Sequence, residues 1–170
     1  MLTTNGNNTG TMDRKEINIR YAEYCSIQEL SDSDRELASE AILATANSYA
    51  PYSKFHVGAA IRLADGTIVT GANQENIAYP SGLCAERTAM FYAAAKYPDT
   101  PMKTIAIAAS SDGVLCPEPA TPCGACRQVM AEYQTKGGSP ISIILVGSEK
   151  IWKFDRVDDI LPLIFDSLGK

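Results

Sequence analysis

Two short cysteine motifs place the strongest constraint on how this chain can fold. They are Cys84-Ala85-Glu86 and, in a later segment, Pro122-Cys123-Gly124-Ala125-Cys126. The spacing of Cys123 and Cys126 brings both thiols to one face of a helical turn. If Cys84 joins them, three sulfurs hold one Zn²⁺ and leave a coordination position open for water, as in catalytic zinc sites. Glu86 does not ligate the ion in this interpretation and is available for acid–base chemistry.

The same cysteines also have simpler interpretations. They can be small buried apolar residues, or they can form a closed structural zinc site, which requires a fourth ligand. Cys116 is the near candidate for that ligand. Cys25 is not expected to be a ligand. His56, the sole histidine, lies on a predicted strand and is expected to be a packed or surface residue. The two motifs agree in their order and in their placement at helix starts, and this agreement favours the catalytic site.

Helix starts suit thiolates for a physical reason. The aligned peptide dipoles and free N–H groups of a helix N-terminus favour negative charge, and thiolates placed there have a lowered pKa. Three thiolates nevertheless leave the zinc centre with a net negative charge. Arg87 and Arg127 stand directly beside the motifs, and we expect each guanidinium to donate hydrogen bonds to a ligand sulfur.

Composition excludes several functional classes. The chain has 170 residues, of which 45% are hydrophobic and 21% charged, and no apolar run approaches the roughly 18 residues of a transmembrane helix. A formal net charge of −5 without a Lys/Arg run argues against a nucleic-acid polymer as partner. Five cysteines argue against a disulfide scaffold, and the polar N-terminus lacks the apolar region of a signal peptide. We therefore expect a cytoplasmic protein with a small ligand and no membrane partner.

Hydrophobic patterning predicts an α/β fold with a mixed sheet and helices on both faces. The predicted strands are 55–63 and 67–72, which flank the turn Asp65-Gly66, then 104–110, 141–146 and an edge strand at 151–154. The predicted helices are 33–49, opened by a capping box at Ser33-Asp34-Arg35-Glu36, then 84–96, 123–134 and a short one at 157–168. Residues 1–30 are predicted to be a partly disordered N-terminal extension, in which 13–24 can form a short helix, and residues 31–170 form one domain.

Four segments together resemble cytidine deaminases of the small homotetrameric class. They are Pro51-Tyr52-Ser53-Lys54-Phe55, Asn73-Gln74-Glu75-Asn76, the run from Tyr79 to Arg87, and Pro122 through Gln128. A Cys-x-Glu followed by Pro-Cys-x-x-Cys is the pattern of the zinc-dependent nucleobase deaminases. The resemblance extends from about residue 37 to the C-terminus, and it implies a three-layer α/β/α sandwich around a mixed five-stranded sheet.

The resemblance also implies roles for the zinc-site residues. Cys84, Cys123 and Cys126 are expected to hold one Zn²⁺ per chain. Glu86 is expected to act as the proton shuttle, and backbone groups at Ala85 are expected to contact the base.

Further roles concern the substrate's sugar and base. The ribose-contacting Asn and Glu of the family correspond to Asn73 and Glu75, and its pocket phenylalanine corresponds to Phe55. Without the resemblance, Asn73 and Glu75 are ordinary loop polar residues and Phe55 is a core residue. Phe165, in the C-terminal run Leu-Pro-Leu-Ile-Phe, is expected to stack on the base bound by another subunit of a homotetramer; the alternative is that it packs in its own core.

The expected reaction is the zinc-dependent hydrolysis of cytidine and 2′-deoxycytidine to the uridine products and ammonia, in pyrimidine salvage. Three alternatives stay open. A related deaminase acting on blasticidin S or on a free base leaves Phe55, Asn73 and Glu75 without a shared purpose. A polynucleotide-editing deaminase is disfavoured by the acidic charge, and a structural zinc protein needs a fourth ligand and gives Glu86 no role.

Overall fold

The computed structural model describes residues 12–166, which form one sheet with helices on both of its faces. The strands are β1 (Ala22–Tyr24), β2 (Phe55–Leu63), β3 (Ile68–Ala72), β4 (Met102–Ser111), β5 (Val114–Leu115), β6 (Ser142–Val146) and β7 (Ile151–Phe154), and the α-helices are α1 (Asp32–Ala44), α2 (Ala85–Lys96) and α3 (Gly124–Gly137). The strand order is β1-β7-β6-β4-β2-β3, with β5 paired to β4. Only β4 and β6 run parallel among these pairs. The predicted mixed α/β fold is confirmed, with seven strands in this part of the chain rather than five.

The helices form two layers that enclose the sheet. On one face, α1 buries Leu37, Ala38 and Ala41 against small side chains such as Ala60 and Ala106. On the other face, α2 and α3 pack their apolar residues against the opposite side of the same strands. Full burial of a leucine side chain such as Leu37 contributes about 2 kcal/mol. Among residues 12–166, no helix is both long and apolar enough to cross a bilayer.

The start and end of α1 differ from the prediction. The N-cap is Ser31, whose hydroxyl accepts a hydrogen bond from the N–H of Asp34 at 3.2 Å, so the capping residue lies two positions before the predicted Ser33. Asp32 and Asp34 then occupy the first turn, where negative charge is favoured by the helix dipole. The helix ends at Ala44 and continues only as a 3₁₀ turn over Thr45–Asn47.

The predicted helix over residues 13–24 is wrong. Residues 22–24 form β1, antiparallel to β7, so β7 is not the edge strand that the sequence indicated. The Tyr21 ring stacks on Phe154 with centroids 5.2 Å apart, and the indole N–H of Trp152 donates to Glu23 at 2.7 Å. These contacts with β7 outweigh the local helix propensity. The part of the predicted extension before residue 12 lies outside the described residues.

The predicted C-terminal helix is also wrong. Val157–Asp159 form a single 3₁₀ turn, and residues 161–166 have no regular secondary structure. Pro162 disfavours continuation of a helix, because it lacks a backbone donor and restricts the residue before it. Side chains of α3 donate hydrogen bonds to backbone carbonyl oxygens of this segment instead. Arg127 donates to Ile160 O at 2.9 Å and Gln128 donates to Phe165 O at 2.7 Å. Residues 167 and 168 lie outside the described part of the chain.

Candidate active site

Three cysteine sulfurs meet at one point beside the sheet. The Sγ atoms of Cys84 and Cys123 are 3.8 Å apart, and those of Cys123 and Cys126 are 3.3 Å apart. All three lie within 4.8 Å of one another, and they are the cluster of possible metal ligands found among residues 12–166. The convergence of the two cysteine motifs is therefore a property of the fold.

The cysteines converge because two helices begin at the same place. Cys84 is the N-cap of α2 and Cys123 is the N-cap of α3, with Cys126 in the first turn of α3. The position of α2 depends on Gly71 of β3, where a Cβ atom would lie only 2.5 Å from the backbone nitrogen of Ala89. A glycine at this position therefore allows α2 to approach the sheet closely.

The donor set and its clustering suit zinc. Tetrahedral coordination with Zn–S bonds of about 2.3 Å places sulfur ligands about 3.8 Å apart. The separation of Cys84 and Cys123 equals this value, and that of Cys123 and Cys126, 3.3 Å, is shorter. Cys116 and Cys25 do not belong to the cluster, so within the described residues the protein supplies three ligands rather than four. A zinc site with three protein ligands is of the catalytic type.

One arginine and the neighbouring thiols set the electrostatics of the ligands. The hydrogen bond from the Cys126 thiol, followed by that from the Arg87 guanidinium, lowers the pKa of Cys84 well below its ordinary value. The Nη2 atom of Arg87 lies 3.8 Å from Cys84 Sγ, and its buried Nε has no acceptor among the described residues. The pKa of Cys126 is raised, mainly because of its hydrogen bond with Cys84. A divalent cation offsets this accumulation of negative charge.

Arg127 does not make the contact expected of it. Its Nε donates to Pro122 O at 2.8 Å and its Nη1 donates to Ile160 O at 2.9 Å. The guanidinium therefore holds the loop before Cys123 against the C-terminal segment, and its described hydrogen bonds are to carbonyl oxygens rather than to a sulfur.

Glu86 is buried beside the ligands. It lies in the first turn of α2 with only 4% of its surface exposed. Burial is the main cause that raises the pKa of its carboxyl, and the negative charge of Cys84 raises it further. A buried carboxyl group with a raised pKa keeps its proton to a higher pH than a free glutamate does, which suits a general acid–base catalyst.

A cavity of about 300 Å³ connects the zinc ligands with several of the predicted substrate contacts. Its lining includes Phe55, Asn73, Glu75, Ala85 and Glu86, together with Cys84 and Cys123. Phe55 is 40% exposed, although an isolated phenylalanine on a strand would suggest a core position. Residues from β2, the segment after β3, and α2 therefore face one common space.

Asn73 is held by three hydrogen bonds from separate parts of the chain. Its Oδ1 accepts from the hydroxyl of Ser48 at 2.6 Å and from the N–H of Val57 at 2.8 Å. Its Nδ2 donates to Phe55 O at 2.9 Å. The amide thus joins the end of the α1 region to the first residues of β2.

Glu75 is fixed by the turn that precedes β2. Its carboxylate accepts hydrogen bonds from the N–H groups of Tyr52 and Ser53 and from the Ser53 hydroxyl. These donors, the Ser53 hydroxyl first, hold the pKa of Glu75 below its usual range. Ser48 and Ser53 were not among the candidate residues, although Ser53 stands in one of the motifs that carry the resemblance.

Phe165 and His56 lie away from this cavity. Phe165 is 68% exposed and does not line it, so it neither packs in the core of its own subunit nor reaches the zinc ligands there. His56 lies in a different cavity with Ile42 and Ser110. The proposed contact of Phe165 with a base therefore requires a second subunit.

Known proteins resemble this chain in sequence and in fold. A family model described as the cytidine and deoxycytidylate deaminase zinc-binding region matches residues 31–137. A cytidine deaminase of Halalkalibacterium halodurans is 49% identical over 100 residues, covering 58% of this chain and 71% of the relative. One of Mycobacterium tuberculosis is 40% identical over 129 residues, covering 76% and 86%. The crystal structure of cytidine deaminase from Burkholderia pseudomallei has a TM-score of 0.65 and 37% identity, covering 76% of this chain and 97% of that one.

The fold and the metal site define a zinc-dependent hydrolase. The family model covers more than half of the chain, and its matched range contains the three cysteines and Glu86. The chain belongs to the cytidine deaminase family. The predicted zinc cofactor and enzymatic character are thereby confirmed.

Proposed function

We propose that the protein hydrolyses the 4-amino group of cytidine and 2′-deoxycytidine, which gives uridine or 2′-deoxyuridine and ammonia, in pyrimidine salvage. The observation that carries the proposal is the cavity that runs from the zinc ligands to Asn73 and Glu75. One end of this cavity offers a metal and a buried acid, and the other offers groups suited to hydroxyls. A nucleoside has the two matching ends, a base with an exocyclic amine and a sugar.

Chemistry takes place at the metal end. Zinc held by the three sulfurs supplies Lewis-acid activation of a water molecule. Glu86 moves the protons: its carboxylate accepts one from this water, and the resulting carboxyl, whose pKa is raised by burial, donates it to N3 of the cytosine ring as the oxygen adds to C4. It then accepts a proton from the added hydroxyl group and delivers it to the departing amine. Ala85 lies beside Glu86 in the cavity wall, where its backbone can contact the base.

Recognition of the sugar takes place at the other end. Both acceptor sites of Asn73 Oδ1 are filled and one Nδ2 hydrogen bonds Phe55, so within the described residues the amide has one N–H left to donate. Ionised Glu75 can only accept. A hydroxyl both accepts and donates, and it therefore fits between the two side chains. A free base leaves these groups unpaired, which is a strong basis for discrimination.

Other substrates and roles fit less well. A 5′-phosphate would bring negative charge close to the carboxylate of Glu75. A polynucleotide would meet a chain with a net charge of −5. Blasticidin S or a free base makes no joint use of Asn73 and Glu75. A purely structural zinc site leaves the buried Glu86 without a function.

Ammonia release from cytidine, 2′-deoxycytidine, cytosine and CMP, measured side by side, tests the proposal. We expect activity with the two nucleosides, loss of activity after zinc chelation and recovery when zinc is returned. The Cys116→Ala variant is the matched control, because it removes a thiol outside the cluster and should behave as the unmodified protein. Turnover of cytosine at the rate of cytidine would contradict the sugar contacts, and activity that persists in the metal-free protein would contradict the chemistry.

The proposal extends to assembly and location. We expect a cytoplasmic homotetramer with active sites shared between subunits, in which residues 31–170 form the catalytic domain and residues 1–30 an extension. Exposed apolar side chains support association: Ile77 and Tyr79 after β3, and Phe91 and Tyr92 on α2. All five cysteines are free thiols, which suits a reducing compartment.

A further inference from the structure

The turn between α1 and β2 holds the carboxylate of Glu75. Tyr52 and Ser53 donate their backbone N–H groups to Oε2 at 2.9 and 3.3 Å, and the Ser53 hydroxyl donates to Oε1. The turn is closed by a hydrogen bond from Lys54 N to Ala50 O at 3.1 Å, with Lys54 at a φ of 58°. Both carboxylate oxygens are therefore engaged by two neighbouring residues.

The Ser53 hydroxyl is itself oriented by the backbone. Its oxygen accepts a hydrogen bond from Phe55 N at 3.0 Å, which leaves its hydrogen directed to Glu75 Oε1. The two N–H donors to Oε2 remain whatever side chain stands at position 53. Among the described residues, the contact to Oε1 is the one that depends on a side chain, and that side chain is Ser53.

The number of acceptor sites on the Glu75 carboxylate shows what the Ser53 contact leaves open. An ionised carboxylate has about four lone-pair sites, and three of those on Glu75 are filled by the turn. The remaining site belongs to Oε1, since Oε2 already accepts two hydrogen bonds. Ser53 and Glu75 both line the cavity that contains the zinc ligands. By occupying one of the two acceptor sites of Oε1, the Ser53 hydroxyl therefore decides which of them stays open.

The geometry points to Ser53 as a positioning residue, whose hydroxyl aims the remaining acceptor site of Glu75 Oε1 at a sugar hydroxyl of the substrate. This inference rests on the proposed function, because it requires Glu75 to accept a hydrogen bond from that sugar. Ser53 acts through Glu75 and needs no contact with the reacting base. Its removal should weaken binding and leave the chemical step in place.

Steady-state kinetics with cytidine and with 2′,3′-dideoxycytidine, which lacks the 2′ and 3′ hydroxyls, tests the inference. Ser53→Ala is expected to raise KM for cytidine about tenfold, the scale of one hydrogen bond to a charged group. The kcat should change less than about twofold, because the lost interaction contributes equally to ground and transition states. The same variant should leave kcat/KM for the dideoxy substrate unchanged. Ser53→Thr keeps a hydroxyl and should restore the KM for cytidine.

A double-variant comparison separates positioning from a general structural effect. In a Glu75→Gln background, Ser53→Ala should add no further increase in KM for cytidine. A full additional increase, or an equal loss with both substrates, would overturn the positioning role. Failure of the proposed function has a different signature, since Glu75→Gln alone would then leave cytidine kinetics unchanged. If zinc content or Tm shows that Ser53→Ala does not fold, Ser53→Cys, similar in size and a weak donor, takes its place.

Discussion

Cys84 and Cys123 each begin a different helix, and their Sγ atoms lie 3.8 Å apart. Neither side chain makes the usual capping hydrogen bond within the described residues, although N-cap positions favour Ser, Thr, Asp or Asn. Their sulfurs face each other instead. Metal binding is thereby coupled to the packing of α2 against α3.

We predict that replacing any one of the three cluster cysteines abolishes stoichiometric zinc binding. Cys84→Ala, Cys123→Ala and Cys126→Ala each leave two sulfurs, too few for a tight site with an open position. Metal analysis of the purified variants should fall from one zinc per chain toward none, and Tm should fall with it. Cys116→Ala and Cys25→Ala serve as controls and should keep their zinc. Full zinc retention in a cluster variant would remove that cysteine from the ligand set.

Glu86→Gln should separate metal binding from proton transfer. The amide keeps the size of the side chain and touches no ligand bond, so zinc content and fold should be unchanged. General acid–base catalysis contributes about 10²–10⁴-fold, and kcat should fall by at least that range because one residue serves several transfers. A fall of less than about tenfold, with zinc still bound, would mean that another group moves the protons.

Asn73→Ala should destabilise the protein more than Ser48→Ala does. The Asn73 side chain makes three hydrogen bonds, to Ser48, Val57 and Phe55, whereas Ser48 loses only its contact with Asn73. At about 1 kcal/mol per hydrogen bond, the free energy of unfolding should fall by about 2–3 kcal/mol in the first variant and about 1 kcal/mol in the second. Denaturant unfolding measures both values, and equal values would show that the amide is not the centre of the network.

The pH dependence of KM for cytidine should report the ionisation of Glu75. The Ser53 hydroxyl and then the Tyr52 N–H hold the pKa of Glu75 below its ordinary value, with a smaller contribution from His56. The carboxylate therefore stays ionised to a lower pH than a free glutamate, whose pKa is about 4.3, and the increase in KM should begin at a correspondingly lower pH. In Ser53→Ala the main lowering cause is gone, so the increase in KM should begin at a higher pH.

The dideoxy substrate provides the control for this pH experiment, because acid effects on zinc or on the fold alter its kinetics equally. The other groups that lower the pKa of Glu75, the Tyr52 N–H and His56 among them, are the same in both proteins. An increase in KM that begins at the same or a lower pH in Ser53→Ala would contradict the assignment.

Phe165 should serve the active site of a neighbouring subunit. Phe165→Ala is expected to raise KM, since stacking of a base on an aromatic ring contributes about 1–3 kcal/mol. The decisive experiment mixes Glu86→Gln with a truncation ending at Leu161 under conditions that allow subunits to exchange. Some sites then combine an intact Glu86 with an intact Phe165, and activity should reappear. A mixture that stays inactive after proven exchange, with a truncation that is folded and impaired alone, would contradict the shared active site.

The parts of the fold that the sequence predicted well carry strong local signals. The hairpin of β2 and β3 follows from two runs of strand-favouring residues around Asp65-Gly66, and the starts of α2 and α3 fall where the cysteine motifs indicated. β1 was missed because a strand of three residues has no periodicity to detect, and its formation depends on contacts between Tyr21 and the aromatic residues of β7.

In the site, too, residues in short motifs could be predicted, and contacts between distant segments could not. The clustering of Cys84, Cys123 and Cys126 could be predicted because the three residues stand in short motifs. Ser53 could not be assigned its contact with Glu75, because the two are 22 residues apart and a turn brings them together. The expected contact of Arg127 with sulfur failed for a related reason, since the carbonyl of Ile160 comes from a distant segment.

The pairing of β1 with β7 has a consequence for how the chain is made. Glu23 and Trp152, which join the two strands, are 129 residues apart. At ribosomal rates of about 5–20 residues per second, β7 is synthesised on the order of ten seconds after β1. β1 is therefore translated well before its partner β7. Contacts of such long sequence separation form slowly. Until β7 has been made, the Tyr21 ring lacks its aromatic partners Trp152 and Phe154, and β1 has no strand to pair with.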